Sequence, residues 1–96
     1  MTNHTNIVKL ITEGIQDRKG KGISIVDLSS IDGAAAQQFI ICQGSSTMQV
    51  ASIADSVREK LQNEAGIKPY NYDGYQNSQW IVIDYGDTFV HVFLPE

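Results

Sequence analysis

The chain has 96 residues, 42% of them hydrophobic, and a net charge of −4, which bounds it to one domain, residues 1–96, with material for a single core. No apolar run approaches the roughly 20 residues of a membrane-crossing helix, and residues 1–6 lack the basic-then-apolar order of a secretory signal. The acidic balance argues against a grip on nucleic-acid backbone, while the lone Cys42 excludes an internal disulfide and fits a reducing cytoplasm.

Ile7, Val8, Leu10, Ile11 and Ile15 recur at helical spacing and predict a first helix over about residues 5–18. Gly14 inside it costs about 1 kcal/mol against alanine and argues against a long regular helix. Arg18, Lys19 and Lys21 make the one dense basic cluster, read as a solvated connector. Residues 23–28 read as a first strand. Residues 38–43, Gln-Phe-Ile-Ile-Cys-Gln, read as a second strand apolar enough to lie centrally. Ser46 followed by Gln49 has the form of a capping box, and Val50, Ile53, Ala54, Val57, Leu61 and Ala65 make one stripe. A second helix over about residues 47–65 follows, with Gly66 as its left-handed cap. Residues 67–73 are expected as a third strand, at a sheet edge or starting just after Pro69, which lacks an N–H.

Two β-branched and aromatic runs flank Gly86-Asp87, a pair suited to a two-residue type II′ hairpin loop. That loop pairs Asp84 with Phe89, Ile83 with Val90, Val82 with His91, Ile81 with Val92 and Trp80 with Phe93. One face of the ribbon then carries Ile81, Ile83, Val90 and Val92, which is core material. The other carries Trp80, Val82, Asp84, Phe89, His91 and Phe93. A loop one residue longer would destroy this separation, because register sets the face. The expected architecture is a mixed α/β (α+β) domain: a five-stranded sheet in the order helix-strand-strand-helix-strand-strand-strand, both helices on the Ile81/Val92 side.

Several groups invite a chemical reading. Gly44-Ser45-Ser46 before a helix resembles an anion cradle but lacks the spacing of a phosphate loop, and capping explains it. Asp84 and Asp87 are the candidate metal pair of a nucleotidyltransferase-like enzyme, yet they sit i, i+3 across a turn rather than i, i+2 on a strand. His91 has no nucleophile at an argued distance, so a hydrolytic triad is unsupported. No catalytic residue, metal ligand or cofactor is expected. The aromatic face itself remains, with polar groups at its margin as protein interfaces have. With Glu96 the last residue, no tail is expected to cover that face, and a binding surface is favoured over a second core. A symmetric dimer through it is a further expectation.

The chain resembles the RsfS/Iojap (DUF143) ribosomal silencing factors over most of its length. The matching stretches are Ile25-Val-Asp-Leu28, Phe39-Ile-Ile-Cys-Gln-Gly-Ser-Ser46 with Gln49-Val50 and Ile53-Ala-Asp55, and Ala65-Gly-Ile-Lys-Pro69. Trp80-Ile-Val-Ile-Asp-Tyr-Gly-Asp87 continuing to Val90-His-Val-Phe93 is the most specific. The resemblance implies a nucleotidyltransferase-like topology without catalytic carboxylates, and a cytoplasmic protein that is not an enzyme. It implies binding to the large ribosomal subunit through the ribosomal protein numbered fourteen, sterically blocking small-subunit joining when nutrients are scarce. The family's signature positions fall on Trp80, Asp84 to Asp87, His91 and Phe93, so Trp80, Asp84, Tyr85, His91 and Phe93 are the expected partner-binding residues. Two departures stand out: Gln37-Gln38 replaces an acidic-aromatic pair, and the family's usual tail after Pro95-Glu96 is absent. The competing expectations are a metal-dependent nucleotidyltransferase using Asp84 and Asp87, and a generic homodimerising module.

Overall fold

Gly86 and Asp87 set the register of the sheet. The Tyr85 N–H donates to the Thr88 carbonyl at 2.9 Å and closes a two-residue loop. Gly86 has φ of 94° while Asp87 stays outside the positive-φ region, the backbone signature of a type II′ turn. The strands on either side, β4 (Trp80–Asp84) and β5 (Thr88–Phe93), pair as the alternation predicts, from Asp84 opposite Phe89 to Trp80 opposite Phe93.

The computed structural model describes residues 4–34 and 36–95, with side chains described from Ile7 onward. Expectations resting on residues 1–3 and Glu96 lie outside the described residues. In chain order the elements are α1 (His4–Asp17), β1 (Lys21–Asp27), β2 (Gln38–Gln43), α2 (Thr47–Ala65), β3 (Asn71–Asp73), β4 and β5. The sheet runs β1-β2-β5-β4-β3. β2 and β5 are parallel and every other neighbouring pair is antiparallel. Neither described helix is long and apolar enough to cross a membrane.

Both helices lie on one face. Ile11 and Ile15 of α1 and Val50, Ile53, Val57 and Leu61 of α2 join Ile40, Cys42, Ile81, Ile83, Val90 and Val92 in one buried cluster. Burial without a charged neighbour pushes the Cys42 thiol up to about 12, so it packs as a small apolar side chain.

The helix termini explain their own positions. Ser46 caps α2 by accepting from the Gln49 N–H at 3.1 Å. The reciprocal half differs from a simple capping box. Gln49 Oε1 accepts from the N–H and hydroxyl of Ser45, at 2.6 and 2.7 Å. Its Nε2 reaches the carbonyls of Arg18 and Lys19, which ties the start of α2 to the end of α1. At the other end Gly66, at φ 66°, and Ile67 return their N–H groups to Gln62 and Leu61, a Schellman closure.

The third strand is shorter than the sequence pattern indicates. Ile67 is spent on the helix cap, Pro69 has no N–H, and the ladder starts only after Tyr70 donates to the Asp84 carbonyl at 2.8 Å. The first strand starts two residues earlier than expected, through a register shift between Lys21 and Ser24 that Gly22 permits at φ 63°.

Gly14 has a packing reason. A Cβ there would stand 3.0 Å from the Val57 Cα, and the buried Ser56 hydroxyl donates to the Gly14 carbonyl at 2.8 Å. The helices cross backbone to backbone at this point. Gly14→Val is therefore expected to destabilise the fold by about 2 kcal/mol despite glycine's poor helix propensity, as measured by urea unfolding. Ile83→Asp, placing a carboxylate among fully buried aliphatic groups, is expected to abolish the folded circular dichroism spectrum.

Candidate functional site

Strand alternation sends Trp80, Val82 and Asp84 of β4 and Phe89, His91 and Phe93 of β5 to the face that no helix covers. The parallel register of β2 against β5 adds Phe39 beside Phe89 and Ile41 beside His91. A hollow of about 550 Å³ lies on this face, lined by Phe39, Ile41, Gln79, Trp80, His91, Phe93 and Leu94. Trp80 is 62% exposed at its rim, more than any other residue of β4 or β5.

His91 organises the hollow. Its Nδ1 accepts from the Trp80 indole N–H at 3.2 Å. The imidazole meets the Phe39 ring nearly edge-on, with centroids 4.8 Å apart, and Phe39 in turn packs against Phe89 at 6.0 Å. An accepting Nδ1 requires the neutral ring with its proton on Nε2. That Nε2 is buried and has no hydrogen-bond partner among the described residues. Burial disfavours the cation and lowers the His91 pKa below its ordinary 6.5.

Asp84 shares the face, one strand over from Phe89, and it has a local role that the sequence does not reveal. Its Oδ1 accepts from the Gly86 N–H at 2.7 Å, which braces the hairpin loop. Asp87 contributes its backbone carbonyl, which accepts from the N–H groups of Gln37 and Gln38 at 2.8 and 3.2 Å. No group of three or more histidine, cysteine, aspartate or glutamate side chains comes together as a metal site among the described residues.

Tyr85 is not on this face. Opposite Thr88, it points to the helix side, is 7% exposed and belongs to the core cluster. Burial pushes its hydroxyl up to about 12. Strand alternation explains the displacement, since Tyr85 follows Asp84 by one residue and so takes the other side. Of the five residues expected at the partner surface, Trp80, His91 and Phe93 gather at the hollow, Asp84 lies further along the same face, and Tyr85 faces inward.

Phe39 and Ile41, with Gln79 and Leu94, are lining residues that the sequence reading leaves out. The alternation of Phe39 and Ile41 with Ile40 and Cys42 is visible in the sequence, but only the parallel pairing with β5 sets them beside His91. Gln38 also has a defined role, donating from Nε2 to the Thr88 hydroxyl at 3.0 Å on the helix side.

A second polar cluster holds the opposite margin. Arg58 of α2 lies 3.9 Å from the Tyr72 ring centroid, donates to the Tyr75 hydroxyl at 3.3 Å, and Tyr75 donates to Asp55 at 2.8 Å. These contacts fasten the short β3 and the following loop to the helix.

The comparisons with known proteins bear on the family and the fold. Residues 2–96 match the family model described as "Ribosomal silencing factor during starvation". The chain belongs to the ribosomal silencing factor family. Among its relatives, the ribosomal silencing factor RsfS of Chromobacterium violaceum is 39% identical over 89 residues, 93% of this chain and 71% of that protein. The Bacillus subtilis RsfS is 32% identical over 91 residues, 95% of this chain and 75% of its own length. A crystal structure of a Chromobacterium violaceum protein superposes with a TM-score of 0.90 at 37% identity, covering 98% of this chain and 77% of that one. Another, from Bacillus halodurans, gives 0.85 at 30% identity, covering 95% and 83%. The mixed five-stranded fold with two helices is thus the silencing-factor fold, and a regulatory family of this kind fits a protein that is not an enzyme.

The state of His91 can be read by pH. With a folded pKa below the unfolded value, the neutral ring's contribution to stability is fully present above about 6.5 and is lost as pH falls through the folded pKa. Stability is expected to drop on the acid side, and His91→Phe should remove that part of the pH dependence in thermal melts. An NMR titration of the imidazole should give a midpoint below 6.5.

Proposed function

We propose that the open face docks this silencing factor on the large ribosomal subunit, at the ribosomal protein numbered fourteen, and that the bound factor sterically prevents the small subunit from joining. The observation that carries this reading is Trp80, exposed at the rim of an apolar hollow and already held by the His91 bond. A large aromatic fixed before binding loses little side-chain freedom on docking, and such residues dominate interface energetics. The chain's net charge of −4 favours a basic protein partner and disfavours direct contact with RNA backbone.

In this reading the roles divide simply. Trp80 and Phe93 are the anchors, and Phe39 and Ile41 extend the apolar floor. His91 holds the indole in place. Asp84, besides bracing its loop, pairs with a lysine or arginine of the partner. The mechanism needs no chemistry and no cofactor: an occupied subunit surface is enough to lower translation, and the family's description, a ribosomal silencing factor during starvation, supports that outcome.

Co-sedimentation with purified large subunits tests the reading. Trp80→Ala should weaken binding by roughly 2 kcal/mol, about thirtyfold, while the circular dichroism spectrum stays native. Asp84→Asn retains an oxygen for the Gly86 N–H and removes only the charge, so it should flatten the salt dependence of binding without unfolding the hairpin. Undiminished binding by folded Trp80→Ala would remove the face from the mechanism.

A further inference from the structure

The bond that holds Trp80 exists in only one charge state of its partner. An indole N–H is a donor and nothing else, so the His91 Nδ1, 3.2 Å away, holds it only while that nitrogen has a free lone pair. The neutral ring with its proton on Nε2 meets this condition. The imidazolium carries an N–H at both nitrogens, and a proton on Nδ1 sets two donors against each other with no acceptor between them. Protonation therefore turns attraction into repulsion at the residue that anchors docking.

The surroundings do not soften that change. On the open face β5 adds Phe89 and Phe93, β2 adds Phe39 and Ile41, and β4 sets Val82 directly opposite His91. The lining of the hollow adds only the uncharged Gln79 and Leu94. Among the described residues the strands bring charge to this face at its margins: Asp84 two residues along β4 from Val82, Asp73 of β3 opposite Val82, and Lys21 of β1 opposite Gln43. Asp73 stands two strands from His91, about 10 Å. Both carboxylates are engaged locally, Asp84 by the Gly86 N–H and Asp73 by the Gly74 N–H at 2.9 Å. The helices pack on the other face and bring nothing to the imidazole. Burial is the cause of the lowered His91 pKa, with no carboxylate set against it.

We propose that His91 is a proton-operated catch on the docking face: a proton taken up at Nδ1 lets go of the Trp80 indole and loosens the factor's grip on its partner. This rests on the docking reading above and adds its regulation. A partner that covers the hollow buries the imidazole further and favours the neutral ring, and by linkage the proton opposes the partner to the same degree. Affinity is then full above the pKa of the free ring. It falls as pH drops below that value, by at most about tenfold per pH unit for a single proton. Acidification frees large subunits that neutral pH keeps occupied.

Two measurements test this, one of them without the ribosome. The chain has a single Trp, so its indole N–H resonance is unambiguous in NMR spectra of the free protein. That resonance should shift together with the His91 ring, at a midpoint below 6.5. In co-sedimentation with purified large subunits, binding should weaken by about fivefold or more between about pH 7.5 and 5, the worth of one lost hydrogen bond, with a native circular dichroism spectrum at both ends. His91→Asn puts an amide oxygen where Nδ1 stands, and that oxygen accepts from the indole without titrating. Its binding should be flat across the range. His91→Phe, with no acceptor, should bind more weakly and equally flatly. An indole resonance that ignores the His91 titration overturns the proposal, as does a pH dependence of binding that either variant retains. Native binding that is equally strong at both pH values overturns the catch alone, whereas no binding at either pH overturns the docking reading with it.

Discussion

Everything on the open face depends on the closure of a two-residue loop. Had the chain between β4 and β5 been one residue longer, Ile81 and Ile83 could not share a face with Val90 and Val92, and the core would lose its floor. The Gly86 conformation and the Asp84 carboxylate that accepts its N–H secure that loop from both sides. One carboxylate thus serves the hairpin whatever it does for a partner. At this position the register and the proposed recognition would be coupled, and only a substitution that keeps the oxygen would separate them.

Much of this was legible in the sequence where the signal was local. Period-two alternation in residues 80–84 and 88–93 announced the hairpin, its register and its two faces. Ser46, Gln49 and Gly66 bounded α2 because capping is a short-range matter of free peptide groups. Most of the missed features depend on elements remote in sequence. The floor formed by Phe39 and Ile41 exists because β2 inserts beside β5. Gly14 reads as a defect until Val57 is seen against it. The inward position of Tyr85 was deducible, since it directly follows Asp84, yet the signature tetrapeptide drew it into the surface set as a block.

The two flanks of the sheet are held by different physics. On the helix side the contacts are mostly apolar and tightly buried, with Thr88 held by the Gln38 side chain and Ser56 by the Gly14 carbonyl. On the open side the order comes from rings and one directional bond, Trp80 to His91. A face built this way is stiff without being covered. The His91 Nε2 carries a cost in stability there, since it is buried with no hydrogen-bond partner among the described residues.

The sheet order also bears on how the protein is made. β5 is the last of the described strands and the middle strand of the sheet, and its partner β2 lies 50 residues earlier. A growing chain can form α1, the β1–β2 ribbon and α2, but it has no central strand until residues 88–93 have left the exit tunnel. The hollow, which draws its lining from β2, β4 and β5, then appears in one late step that closes a long loop. A copy that stops short of residue 93 lacks the complete face, so the chain cannot engage a partner through it before β5 has emerged.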